Sequence, residues 1–309
     1  MLDPRDLYTL ADEQPDEGAL EHPVLLHALG GFIDAGNAGR LAGEHLLSSL
    51  EHRVLATFDV DQLYDYRARR PAMTFMENRW ESYEAPQLVL EEVKDVEGRG
   101  FLMLTGPEPD IQWERFVAAV TELVDHYNVR LTIGVHAIPM AVPHTRPSGM
   151  TAHATRKNLI DIKNIWAGNV QVPGNVAGLL ELRLGQAGKD AAGFAVHVPH
   201  YLTQAEFPDA AVVLVDAVAD VSDLTLPTGT LIEAGIETRA AIEEQVAGQP
   251  EVAAVVSALE QQYDAYVAGE GNALPLADGP GELPTADELG AELERFLAEE
   301  NDRKGRGDV

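Results

Sequence analysis

Apolar and polar residues alternate in blocks along the chain, with short apolar runs followed by longer amphipathic stretches. The short runs are typical of buried strands, and they occupy residues 23–29, 53–60, 129–139 and 191–202. Helical spacing begins at Ala38 and again near Val176. It also covers 110–128, where Asp110 is the expected N-cap. Two further apolar runs, on either side of the VEG turn at 96–98, predict a hairpin or two neighbouring strands.

The pattern of the last part of the chain is helical. The stretch DAAVVLVDAVADVSDL is long and lacks breakers, which favours a helix over a strand. Two more helices are expected on either side of Pro250. A linker rich in Gly and Pro precedes a last amphipathic helix, in which Thr285 and Glu288 have the spacing of a capping box. The apolar stripe of that helix would cover the protein's own core or a partner, and it consists of Leu289, Leu293, Phe296 and Leu297.

Strands that alternate with helices indicate a mostly parallel sheet with helices on both faces. We therefore predict an α/β domain over residues 22–235, and a length of 309 residues suits one such domain with an appendage. The acidic and polar residues 1–21 are expected to form a tail or a loosely docked segment. Residues 236–300 are expected to form a C-terminal helical segment, and residues 301–309 a disordered tail.

The charge of the chain restricts its partners. Its 51 acidic residues against 22 Lys and Arg give a net charge of −29, which would repel nucleic acid phosphates and anionic membranes. No apolar run is long enough to span a bilayer, the N-terminus lacks the pattern of a secretory signal, and the sequence contains no cysteine. We expect a cytoplasmic protein with no nucleic acid or membrane partner.

One basic cluster interrupts this acidity. It contains Arg67, Arg69 and Arg70 in the segment DYRARRP. These arginines could bind an anion, but in so acidic a chain the favoured interpretation is a set of ion pairs, within the protein or at an interface.

The stretch GGFIDAGNAG after the first buried run raises the question of a phosphate-binding loop. Gly31 and Gly36 have the spacing of a P-loop, but Asn37 and Ala38 stand where Lys and Ser or Thr are needed. Asp34 would oppose a bound phosphate. A tight bend between strand and helix is favoured, with Asp34 or Asn37 as helix cap and with glycines that allow close packing. We expect no nucleotide cofactor.

Loops at the carboxyl ends of parallel strands form the crevice in which doubly wound proteins bind ligands. The candidate residues of these loops are Asp34, Asn37, Thr105, Glu108, His144, Thr145, Arg146, Asn175, His200 and Tyr201. An enzyme could use Arg146 to bind an anion and His144 or His200 as general base, with Glu108 as the partner of the base.

The opposing interpretation is that these loop residues tie the loops together through backbone carbonyls. The two interpretations are separated by a prediction that the side chains of His144, Arg146 and His200 line one pocket. His27 and His136 lie inside apolar runs and are expected to be core residues. His197 and His200 would point to opposite faces of a strand, so no metal site is predicted.

Five segments together resemble one known family. GGFIDAGNAG, FDVDQLYDYRARRP, TGPEPDIQWERF, IPMAVPHTRP and VHVPHYL are similar to the actinobacterial branch of the proteasome assembly chaperone 2 (PAC2) family, over about residues 20–235. The resemblance implies a three-layer α/β/α sandwich similar to the nucleoside phosphorylase fold. It also implies a non-catalytic chaperone role for the eukaryotic members. Archaeal relatives are implied to dock through a hydrophobic-Tyr-X tail, and the sequence here ends Gly307, Asp308, Val309.

Two functional hypotheses follow. The first is a non-catalytic, chaperone-like assembly or interaction protein that binds itself, with a trimer as the expected state, or binds a protein complex. The alternative is an enzyme or sensor for a small molecule of the nucleoside or nucleotide type, which would use the crevice at the strand ends. No cofactor is predicted in either case.

Overall fold

A computed structural model describes residues 2–16, 20–31, 33–160 and 171–269 of the chain. Its strands are β1 (Tyr8–Leu10), β2 (Val24–Gly30), β3 (His52–Phe58), β4 (Met73–Met76), β5 (Arg79–Tyr83), β6 (Val89–Lys94), β7 (Gly100–Pro107), β8 (Leu131–Met140), β9 (Met150–Ala154) and β10 (Ala191–Pro199). Its α-helices are α1 (Ala38–Ser49), α2 (Trp113–His126), α3 (Val176–Gln186), α4 (Pro208–Ser222), α5 (Gly229–Ala247) and α6 (Pro250–Val267).

Eight of these strands form one mixed sheet in the order β1-β3-β6-β7-β2-β8-β10-β9. The central strands β7, β2, β8 and β10 are parallel to one another. Strand β6 is antiparallel to β7, and β3 is antiparallel to β6, so β3 runs in the same direction as the central four. The mostly parallel sheet predicted from the sequence is therefore confirmed.

Alternating residues of the strands face two separate cores. On β2, Val24 and Leu26 pack with α1, α4 and α5, whereas Leu25 packs with α2 and α3 on the opposite face. Each buried strand is apolar on both faces because helices cover both. This arrangement gives three layers and confirms the predicted α/β/α fold class.

The first residues of the chain join the sheet. Leu7 is completely buried, and β1 pairs with the outer edge of β3. The buried guanidinium of Arg115 donates two hydrogen bonds, of 2.9 and 2.8 Å, to the carbonyl oxygen of Asp3. Residues 2–10 thus differ from the expected tail, because an apolar residue inside an acidic segment and a buried arginine fix them to the domain.

Two expected boundaries differ from those in the structure. Helix α5 passes through the expected domain boundary at 235, because its buried Leu231 and Ile242 belong to the same core as α4. Helix α2 begins at Trp113, and Asp110 does not cap it. Instead, the Asp110 carboxylate accepts a hydrogen bond from the Asp65 backbone N–H and pairs with Arg69. The helices on either side of Pro250 agree with the prediction, whereas the predicted linker and last helix lie outside the described residues.

Candidate functional site

The glycine bend after β2 is the entry to α1. The Asp34 carboxylate accepts hydrogen bonds from the backbone N–H groups of Gly39 and Arg40, at 2.8 and 2.9 Å. Asn37 has a left-handed backbone conformation and makes no capping hydrogen bond. Of the two proposed caps, Asp34 is therefore the one that stabilises the helix start.

Gly36 connects this bend to the loop after β10. Its φ angle is +66°, and a Cβ atom there would lie 2.8 Å from Cβ of Phe207. The Gly36 N–H donates to the Thr203 carbonyl, and the Gly36 carbonyl accepts from the Phe207 N–H, both at 2.9 Å. A carboxylate occupies the helix N-terminus where a P-loop would hold phosphate, and burial raises the pKa of Asp34. The residues therefore build a packed bend.

Glu108 and Asn175 meet at the N-terminus of α3. Glu108 accepts a hydrogen bond from the Val176 N–H at 2.6 Å, and the Asn175 side chain accepts one from the Gly178 N–H at 2.7 Å. A Cβ atom at Gly31 would lie 2.6 Å from the Glu108 side chain, so this glycine makes room for it. Both polar side chains thus satisfy a helix end, which is a structural role.

His144, His200 and Tyr201 form a second group at the ends of β8 and β10. The Tyr201 hydroxyl oxygen accepts from the His144 backbone N–H at 2.9 Å and lies 2.7 Å from His144 Nδ1. If the hydroxyl donates its proton to Nδ1, the His144 proton resides on Nε2. His144 Nε2 and His200 Nδ1 are buried without a hydrogen-bond partner among the described residues. Burial lowers the pKa of both histidines and raises that of Tyr201.

Thr145 and Arg146 point instead to helix α6. Arg146 binds the Asp264 carboxylate through two contacts of 2.8 Å and lies 3.2 Å from Glu260. The Thr145 hydroxyl donates to Glu260 at 2.5 Å. Together with the Tyr263 hydroxyl, which donates to the Pro147 carbonyl at 3.1 Å, these contacts fasten α6 over the loop that follows β8.

The candidate residues consequently separate into several groups. His144 and His200 pack against the same tyrosine ring, with centroid separations of 5.9 and 5.4 Å, but the Arg146 guanidinium is engaged by α6. Glu108 serves α3 and is not paired with either histidine. Thr105 is half-buried on β7 beside Gly43 of α1. Among the described residues, no group of three or more His, Asp or Glu is placed to hold a metal ion.

A row of histidines on the α2–α3 face of the sheet is a feature that the sequence pattern only partly indicated. His27, Gly134, Gly193 and His153 are register partners across four adjacent strands. A Cβ atom at Gly134 would lie 2.6 Å from the His27 ring, and one at Gly193 would clash with the His153 ring. The glycines thus provide space for imidazoles. Burial lowers the pKa of both His27 and His136 to about 4.

The arginine cluster is partly internal. Arg69 pairs with Asp110 at 2.8 Å, donates to the Glu108 carbonyl and lies 4.5 Å from the centroid of the Tyr64 ring. Arg67 and Arg70 are exposed and make no ion pair within the described part of the chain. The ion-pair interpretation is confirmed within the chain for Arg69, and for Arg67 and Arg70 a pairing at an interface stays a prediction.

The segment that follows this cluster is the β4–β5 hairpin, a separate two-stranded sheet between β3 and β6. Every residue of both strands is exposed. Met73 pairs with Tyr83 and Phe75 with Trp80, and the Phe75 and Trp80 rings lie edge to face at 5.0 Å. Phe75 is 56% exposed and Trp80 is 64% exposed. This hairpin presents a large apolar surface that no other described part of the chain covers, and no candidate in the sequence pointed to it.

An open depression of about 560 Å³ lies elsewhere, at the amino-terminal end of β3. Its walls are mostly charged, and they include Asp12, Glu13, Glu51, Arg53 and Glu92. Because β3 runs in the same direction as the central strands, this depression lies at the amino-terminal ends of the strands, whereas the predicted crevice lies at their carboxyl ends. None of the described helices is long and apolar enough to cross a membrane.

Solved structures of other proteins share this architecture. A Mycobacterium tuberculosis protein of unknown function, Rv2714, is 46% identical, with a TM-score of 0.82 over 87% of this chain and 95% of the relative. A Corynebacterium glutamicum protein of unknown function is 39% identical, with a TM-score of 0.80 over 84% of this chain and 98% of the relative.

A third similar structure is described as the M. tuberculosis proteasome-assembly chaperone homologue Rv2125. It is 25% identical, with a TM-score of 0.68 over 75% of this chain and 99% of the relative. Among curated proteins, none matches the chain. The family model described as PAC2 family matches residues 28–246, which is more than half of the sequence. With this match and the shared fold, the chain belongs to the PAC2 family.

Proposed function

We propose that this protein is a non-catalytic, chaperone-like assembly or interaction protein that works as a homo-oligomer. The observation that carries the proposal is the exposed apolar face of the β4–β5 hairpin. An isolated two-stranded hairpin is marginally stable in water, and apolar patches of this kind mark protein interfaces. The hairpin residues are of the types that dominate interface energetics, namely Trp, Tyr, Phe and Met.

Two further observations support an interaction role. The loops expected to form a catalytic crevice use Glu108 and Arg146 to join elements of the chain and Asn175 to cap α3. A structure similar to this one is described as a proteasome-assembly chaperone homologue, which is a protein-binding function. We infer a cytoplasmic trimer that also contacts a protein complex and does not bind nucleic acid, given the net charge of −29.

Light scattering coupled to size-exclusion chromatography tests the proposal. The wild-type chain should elute as an oligomer, and the double variant Phe75→Ser, Trp80→Ser should elute as a monomer with unchanged circular dichroism. A matched control is Val96→Ser, which removes an apolar side chain of 62% exposure outside the hairpin and should leave the oligomer intact. A wild-type chain that is monomeric at all concentrations would refute self-association.

The alternative small-molecule function has one specific observation in its favour. His144 and His200 each keep a buried, unpartnered ring nitrogen beside Tyr201, and buried polar atoms without partners are uncommon. A ligand with hydrogen-bonding groups, such as a nucleoside, would satisfy them. A thermal shift screen with nucleosides, phosphate and ATP-magnesium tests this function. A ligand at 100 times its dissociation constant should add about 2.7 kcal/mol of stability, and Tyr201→Phe should reduce the shift. Absence of a shift with every compound would exclude these ligands.

A further inference from the structure

We propose that the β4–β5 hairpin of one copy docks on the outward face of helix α5 of a second copy. This inference rests on the proposed self-association and adds the receptor surface for the hairpin. It follows from three features of the described residues: an apolar stripe on α5, opposite charges on the two surfaces, and their positions in opposite layers of the fold.

Helix α5 is apolar on two sides. Leu231, Gly235 and Ile242 are buried against the domain. Ile232 and Ile236 lie one turn apart on the outer side and are 45% and 55% exposed. Ala240 continues this outer stripe by another turn and is also exposed. A helix with one face in the core needs no second apolar stripe unless something covers it.

Charge favours a contact between α5 and the hairpin over a contact between two hairpins. Residues 67–83 contain four arginines and two glutamates, so this segment is positive in a chain of net charge −29. Two such segments would repel each other. The exposed acidic residues of α5 are Glu233, Glu237, Glu243 and Glu244. Its one arginine, Arg239, pairs with Asp209. The exposed Arg67 and Arg70 are therefore free to meet the glutamates of α5.

The segment that leads into the hairpin and helix α5 belong to different layers of one molecule. The segment before the hairpin is bound to the α2 layer, where the Gln112 side chain donates to the Gln62 carbonyl at 2.6 Å and Leu63 is buried in the same core as Phe116. Helix α5 packs in the opposite layer through Leu231 and Ile242. The contact therefore joins the hairpin of one copy to the α5 face of a second copy, and the two patches are different. Such a head-to-tail contact closes into a ring when its rotation permits, which agrees with the trimer we infer.

A mixing experiment with the full chain tests this geometry. One variant loses the hairpin surface (Phe75→Ser, Trp80→Ser) and the other loses the α5 surface (Ile232→Ser, Ile236→Ser). Each alone should be monomeric by light scattering. Their equimolar mixture should form a 1:1 heterodimer, because the intact hairpin of one can dock on the intact α5 of the other and no further contact is possible.

A charge exchange provides the second arm. Arg67→Glu with Arg70→Glu, or Glu233→Arg with Glu237→Arg, should each abolish the oligomer peak, and the four substitutions together should restore it. Glu251→Arg, at the exposed start of α6, is the matched control and should change nothing.

The outcomes separate the two proposals. If the wild type assembles and the hairpin variant is monomeric, but the α5 variants still assemble, docking on α5 is refuted and self-association through the hairpin stands. If the mixture of the two apolar variants remains monomeric, the head-to-tail contact is refuted. A monomeric wild type refutes both.

Discussion

The loops at the carboxyl ends of the parallel strands and the β4–β5 hairpin differ in how their side chains are used. In the loops, polar residues such as Glu108 and Arg146 bind helices α3 and α6 of the same chain. In the hairpin, Phe75 and Trp80 contact each other and are 56% and 64% exposed. The polar loops therefore stabilise the molecule, whereas the hairpin leaves much of its apolar surface uncovered by the described residues.

This difference shows that residue type alone is a weak guide to function in this fold. His, Arg and Glu at strand ends are the usual side chains of active sites, but here Glu108 caps a helix and Arg146 fastens another. The hairpin contains no catalytic residue pattern, and the exposure on which its proposed role rests is known only from the structure. The four predictions that follow test whether the two regions really differ, and they begin with the largest expected effect.

Truncation of a core ring should destabilise the protein far more than truncation of a hairpin ring. Phe116 is fully buried with its centroid 5.1 Å from that of Phe58, so Phe116→Ala should cost about 3–5 kcal/mol of unfolding free energy. Phe75→Ala should change the stability of the monomer by about 0.5 kcal/mol or less. Urea denaturation at low protein concentration measures both. Equal losses would mean that the hairpin packs on its own chain.

Acid should destabilise the sheet core through its buried histidines. Burial lowers the pKa of His27, His136 and His197 to about 4 from an ordinary value of 6.5. At pH values between 4 and 6.5 the unfolded chain binds more protons at these histidines than the folded chain does. The stability that the neutral histidines contribute is therefore complete above pH 6.5 and is lost as the pH falls toward 4. The loss is at most about 3 kcal/mol per histidine.

Unfolding free energies measured from pH 7.5 to 4.5 test this prediction. The variant His27→Gln should show a smaller slope below pH 6.5 than the wild type. The hairpin contains no histidine, so Phe75→Ser with Trp80→Ser should retain the full slope. Identical slopes for His27→Gln and wild type would argue against a buried neutral imidazole at this position.

Removal of the Asp34 cap should have a moderate effect. Asp34→Ala leaves the N–H groups of Gly39 and Arg40 without their acceptor, and should cost about 1 kcal/mol. Asp34→Asn keeps one side-chain oxygen and should cost less. Thermal or urea unfolding of both variants compares them. A stabilised Asp34→Ala variant would contradict the stabilising role of this cap.

The smallest effect is expected at the ion pairs between the loop after β8 and helix α6. Arg146→Gln removes the contacts with Asp264 and Glu260 and should increase amide hydrogen exchange in residues 250–267, with little change in global stability. Arg183→Gln, which breaks a similar exposed pair with Glu114, is the control and should leave α6 unchanged. Unchanged exchange in both variants would show that apolar contacts alone hold α6.

Much of the fold could be predicted from local pattern, and particular residues show why. The apolar run at 23–29 became β2, and the spacing from Ala38 became α1, because buried strands and one-sided helices leave clear periodicities. The position before a helix gave Asp34 and Asn37 as the two possible caps, and the structure selected Asp34. The N-terminal strand was missed because β1 contributes only three residues, and Leu7, the buried apolar residue before it, lies in a polar segment.

The site was harder to predict than the fold. Glu108 and Arg146 were chosen as candidates by residue type and loop position, but whether a charged side chain meets substrate or a helix depends on elements distant in sequence. Glu108 binds Val176, and Arg146 binds Asp264, 118 positions along the chain. The exposure of Phe75 and Trp80 also depends on elements distant in sequence, since it results from the fact that no strand or helix of the described chain packs over them.

By itself, the amino-acid sequence determined the layered α/β architecture, the helix starts at Ala38 and Val176, the acidic surface and the absence of thiol chemistry. These properties depend on composition and on the spacing of neighbouring residues. Tertiary structure alone decided that the strand-end loops are bound within the chain and that no other described element covers the hairpin. Burial and pairing are properties of surfaces that folding brings together, and no local pattern records which surface is left without a neighbour.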